Sequence, residues 1–60
     1  MKVYVNRRPV DLLPGMTVRH ALIGAGLLEE VERGRQVFDE WGNEVGLDGE
    51  LDDGVQLTVK

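Results

Sequence analysis

Catalysis and metal binding draw on a short roster of side chains, and this chain of 60 residues holds few of them. It has a single histidine, His20, and neither cysteine nor serine. Serine- or cysteine-type covalent catalysis therefore has no nucleophile, and His20 has no such group to activate. Without thiols there is no disulfide, no iron–sulfur cluster and no thiolate zinc site, and one imidazole does not make a histidine-based metal centre. Asp48, Glu50, Asp52 and Asp53 resemble a cation loop only at a glance. An EF-hand counted from Asp48 needs Gly sixth and Glu twelfth, where this sequence has Asp53 and Val59. Gly24 and Gly26 are too closely spaced for a dinucleotide loop and stand at the end of a helical pattern instead of its start. Glu29, Glu30 and Glu32 read as exposed charge. No catalytic residue, metal ligand or cofactor-binding residue is assigned, no cofactor is expected, and the chain is not expected to be an enzyme.

Charge is unevenly divided. Residues 1–28 carry Lys2, Arg7, Arg8 and Arg19 against Asp11 alone, whereas residues 29–60 carry Arg33, Arg35 and Lys60 against ten acids; the net is −4. An acidic chain repels a phosphate backbone, so nucleic acid is not the expected partner, and a basic groove on another protein would suit the second half. No apolar run reaches bilayer length and the first residues lack the basic-then-apolar order of a secretion signal. A soluble cytoplasmic protein without a membrane partner is expected.

One well-bounded helix must position the rest. Pro14 and Gly15 signal a turn, Thr17 is a suitable N-cap, and Val18, Ala21, Leu22 and Ala25 fall at i, i+3, i+4 and i+7 on one face. The residue three beyond Thr17 is His20 where a capping box has Glu or Gln, so half of that box is expected. Gly24 costs roughly 1 kcal/mol relative to Ala, and Gly26 suits the left-handed residue after the helix, with Leu27 as its apolar contact. The helix should end near Ala25.

Strand signals flank it. Residues 2–6 alternate with Met1, Val3 and Val5 on one face, and 10–13 continue with Val10 and Leu12 inward after a turn at Asn6, Arg7 and Arg8. Pro9 places that second strand at or near an edge. Residues 28–34 read as a polar connection with room for one irregular helical turn. Residues 36–41 and 44–47 read as a hairpin around a two-residue Gly42-Asn43 loop of type II′. Leu51, alone in a polar loop, is expected to plug the core. Residues 55–60 alternate strictly, Val55, Leu57 and Val59 inward.

The order strand, strand, helix, strand pair, strand is that of the α+β β-grasp (ubiquitin-like) fold: ββαβ(β)β, a mixed sheet with one main helix packed on one face, as a single domain over residues 1–60. The chain resembles the small sulfur carriers of thiamine and molybdopterin biosynthesis and, equally, TGS domains. The resemblance is carried by the strand ending in Asn6, by Gly15, Thr17 and Val18 opening the helix, and by Asp53 and Gly54 before the last strand. It implies that the first and last strands pair in parallel at the sheet centre. Sulfur carriers of this kind act through a C-terminal Gly-Gly, which must thread unhindered into a partner's active site; this sequence reads Thr58-Val59-Lys60 there. The alternative reading is thus a sulfur carrier whose Gly-Gly tail lies outside the given sequence.

A surface remains as the functional candidate. Lys2, Tyr4, Gln56, Thr58 and Lys60 should share the outer face of the sheet, with Trp41 or Phe38 at its border. Aromatic residues among polar ones on an open sheet are the usual anchors of a protein interface. The expected function is a non-catalytic protein-binding or adaptor module acting through that face; Trp41 closing one end of the core is the competing reading.

Overall fold

The alternation of Val3 and Val5 with Lys2 and Tyr4 produces β1 (Lys2–Val5), and β2 (Arg8–Asp11) returns antiparallel to it with Val5 opposite Arg8. A computed structural model describes residues 1–60. The turn is tighter than the sequence implies: Asn6 and Arg7 alone make it, both at positive φ (50° and 70°), and Arg8 and Pro9 already belong to the strand. Two consecutive left-handed residues form a type I′ turn, whose twist matches that of the flanking strands. Asn tolerates this conformation; Arg does so at a cost. Beyond β2 the Met1 and Leu12 backbones exchange two further bonds of 2.7 and 2.8 Å, and Leu12 is buried.

Helix α1 (Val18–Ala25) runs from Thr17 to a left-handed Gly26 at φ 74°. Gly26 donates its N–H to Ile23 O and Leu27 to Leu22 O, the pair of bonds of a Schellman ending. At the other end the structure completes what the sequence left half-made. His20 takes the place of the usual Glu, its Nδ1 accepting the Thr17 N–H at 3.0 Å. The amides of Val18 and Arg19 donate to the carbonyls of Gly49 and Leu47 at 3.1 and 2.9 Å. The loop after residue 46 is therefore held against the helix start, where free amides need acceptors.

Helix α2 (Leu28–Glu32) occupies the connection in which one irregular turn was expected, so the fold has two helices. Leu28 and Val31 pack on the core from it. The two-residue loop expected at Gly42 and Asn43 does not form; residues 37–39 and 43–45 pair antiparallel across a longer loop, with the Asp39 N–H donating to Asn43 O and the Val45 N–H to Val37 O, each at 2.9 Å. Only Val37–Phe38 is a strand (β3), and the return strand at 44–47 reduces to a single bridge between Phe38 and Glu44. The cause is Asp39. Its Oδ1 accepts the N–H groups of both Trp41 and Asn43 at 2.9 Å, folding residues 39–43 into a loop that a two-residue turn cannot accommodate.

The last strand, β4 (Gln56–Val59), inserts between β1 and β3, giving the order β2-β1-β4-β3. It runs parallel to β1, with Tyr4 beside Gln56, and antiparallel to β3, with Phe38 beside Thr58. The first and last strands thus lie together in the middle of the sheet, and Pro9 sits on an edge strand, as expected. Two side chains fasten the parallel pair at its ends. Asp53 Oδ1 accepts the Lys2 N–H at 2.7 Å, and Asn6 Oδ1 accepts the Val59 N–H at 2.9 Å. The molecule is an α+β fold of a four-stranded mixed sheet and two helices. Its core, Val3, Val5, Val10, Leu12, Val18, Ala21, Leu22, Val37, Leu57 and Val59, is apolar throughout. Leu51 and Val55 are half-buried against it. No helix is long and apolar enough to cross a membrane.

Candidate functional site

The period-2 pattern that turns Val3, Val5, Leu57 and Val59 into the core turns their neighbours to the opposite face. Register then decides which of them meet. Tyr4 lies between Pro9 on β2 and Gln56 on β4, Lys2 lies opposite Asp11, and Thr58 opposite Phe38. Lys2, Tyr4, Gln56, Thr58 and Lys60 accordingly share one face, as the sequence implies. Phe38 joins them, with the Lys60 Nζ 5.4 Å from its ring centroid. That geometry is a cation–π contact, worth about 0.5–1 kcal/mol at an exposed position. Tyr4 and Phe38 are half-buried and the other four exposed. Because α1 and α2 both pack on the core side, no element of the chain covers this face.

Trp41 does not belong to it. It is 78% exposed, which rules out the closing of the core, and it stands on the 39–43 loop beside a groove on the helix side of the sheet. The groove has a volume of about 220 Å³. Buried Val18 and Leu57 form its floor, Trp41, Val45, Leu51 and Val55 its apolar walls, and Asp39, Glu50 and Asp52 its rim. The two faces differ in charge: lysines mark the sheet face and carboxylates the groove.

Several charged residues have structural partners. Asp53 holds Lys2, Arg19 pairs with Asp48 at 3.2 Å, and Arg35 with Glu30 at 3.2 Å. The last two are solvent-exposed pairs of the kind that contribute little to stability. His20 is engaged at the start of α1, with Nδ1 also 3.1 Å from the Thr17 Oγ1.

Sequence reasoning missed the placement of Phe38 and the existence of the groove. Phe38 was an alternative to Trp41 at the border, and the register with Thr58 places Phe38 there. The groove arises where the 39–45 and 49–55 segments fold against α1, a long-range arrangement with one local signal, the Asp39-x-Trp41 spacing that lets a carboxylate fix the tryptophan backbone. Set against known proteins, the chain matches no family model, no curated protein and no solved structure.

Proposed function

We propose that this chain is a β-grasp domain working as a non-catalytic protein-binding module, with the uncovered sheet face as its contact surface. The strand order β2-β1-β4-β3, the parallel central pair and the passage through α1 between the two hairpin-like halves support the β-grasp reading. So do the motif positions named above: Asn6 and Asp53 perform the structural tasks that a shared architecture requires, holding the central strands at both ends.

The observation that carries the functional reading is the face itself. Tyr4 on the central strand β1 and Phe38 on the edge strand β3 offer aromatic surface across the sheet, flanked by Lys2, Gln56, Thr58 and Lys60 as donors and acceptors. Amphipathic aromatic residues surrounded by polar ones bury well against a partner at low cost in conformational entropy.

The test is capture from extracts of the source cell with three immobilised proteins: wild type, a Tyr4→Ser/Gln56→Glu/Thr58→Glu face variant, and an Ile23→Ser control altered on α1, where Ile23 is 56% exposed. A partner retained by wild type and control but lost by the face variant supports the reading. Equal capture by all three overturns it. The intact mass of the protein from its native source addresses the carrier alternative. A product ending in Gly-Gly, or one with an oxygen-to-sulfur mass gain, would transfer the assignment to sulfur carriage.

A further inference from the structure

The groove beside Trp41 is built differently from the sheet face and calls for a different ligand. We infer that it is a binding site for an arginine side chain presented by a basic peptide segment of a partner protein. The aliphatic stem would lie on Trp41, Leu51 and Val55, with the guanidinium between Glu50 and Asp52.

Three features of the site converge on that occupant. The first is its wall: Trp41 is 78% exposed, so most of its indole surface is available for stacking. Tryptophan is the aromatic side chain that cations favour most, and the planar guanidinium stacks on it better than an ammonium does. The second is preorganisation. Asp39 fixes the Trp41 backbone by accepting its N–H at 2.9 Å and ties Asn43 with the same oxygen, so the loop that presents the indole is held before anything binds, and only the side-chain rotamer is left to settle. A site held ready loses less entropy on binding.

The third is charge. The Glu50 and Asp52 side chains make no ion pair or hydrogen bond within the chain, in contrast to Asp48, Asp53 and Glu30. They border an apolar cleft, where a cation that covers them is shielded from bulk water and its attraction is strengthened. A neutral apolar ligand would leave both carboxylates next to its own greasy surface, and an anion would be repelled by both. A long cationic side chain satisfies stem and head together. The net charge of −4 adds a long-range attraction for a basic segment.

Trp41 is the only tryptophan in the chain, so its fluorescence reports on the groove directly. The probe is a blocked Gly-Arg-Gly tripeptide titrated into the full chain, with the citrulline peptide as the neutral isostere. Expected is a saturable change in Trp41 emission with a dissociation constant on the order of 1 mM. Binding should weaken with added salt. It should weaken about tenfold or more for the citrulline peptide and for the Glu50→Gln/Asp52→Asn variant. Both substitutions are isosteric and exposed, and an unchanged melting curve shows the variant folded. Identical titrations with arginine and citrulline, no saturable response, or an unaffected carboxamide variant would each overturn the site. The Tyr4→Ser/Gln56→Glu/Thr58→Glu variant should bind the probe like wild type, because the sheet face lies across the core; the groove and the sheet-face reading therefore fail or stand separately.

Discussion

Replacing Gly24 with alanine offers a sharp test of how α1 lies on the sheet. By helix propensity alone the change should stabilise α1 by about 1 kcal/mol. The structure reverses that expectation. A Cβ built on Gly24 falls 2.7 Å from Val10 Cγ1, whereas two carbons in good contact sit about 3.5–4.0 Å apart. Val10 cannot easily withdraw. It is buried, paired with Val3 in the sheet, and β-branched, so its rotamer is stiff. Overpacking of this size costs about 1–3 kcal/mol, which outweighs or at least cancels the propensity gain and leaves a net loss of up to about 2 kcal/mol. In a Val10→Ala background only the Val10 Cβ remains, at 4.0 Å, an ordinary contact. There Gly24→Ala should recover its gain of about 1 kcal/mol, so the double-mutant cycle should return a coupling of about 1–3 kcal/mol. Urea unfolding followed by far-ultraviolet circular dichroism measures all four corners. A gain of about 1 kcal/mol from Gly24→Ala in the wild-type background, with coupling near zero, would refute the close approach of α1 to β2.

Other substitutions probe other joints. Leu22 is fully buried, and Leu22→Ala should cost about 2–5 kcal/mol, comparable with the roughly 3–9 kcal/mol total of a chain this size, so the variant should be largely unfolded by dichroism. Asn6→Ala removes the acceptor for the Val59 N–H and places alanine at φ 50°, for a loss of about 1–2 kcal/mol in thermal unfolding; Asn6→Gly, which keeps the turn and loses the bond, should fall between the two. Trp41→Ala should leave the unfolding free energy within about 0.5 kcal/mol of wild type, and a larger loss would place Trp41 in the packing after all.

What the sequence disclosed follows the range of the forces involved. The helix was legible because its boundaries are local: Thr17 starts it, Gly26 ends it, and Val18, Ala21 and Leu22 mark its buried face. The strict alternation of Val3 with Val5 and of Leu57 with Val59 marked both central strands. It also placed Lys2, Tyr4, Gln56, Thr58 and Lys60 on one surface. The reading failed where a side chain competes for backbone amides. Asp39 captures two of them and converts an apparent two-residue turn at Gly42 and Asn43 into a longer loop, cutting β3 to two residues. Similarly, an imidazole can stand in for the carboxylate of a capping box, which residue-type patterns do not anticipate. Trp41 was read as a border of the sheet face from its residue type alone, and the 39–43 loop carries it to the groove instead.

The pairing of β1 with β4 also sets the order in which the chain can be completed. Asn6 waits for Val59, 53 residues downstream, and Lys2 for Asp53, 51 residues downstream. Contacts so distant along the backbone demand costly loop closure and slow the search for the native arrangement. On a ribosome, the first hairpin and α1 would emerge with a raw strand edge exposed, and only the later arrival of β4 could seal it.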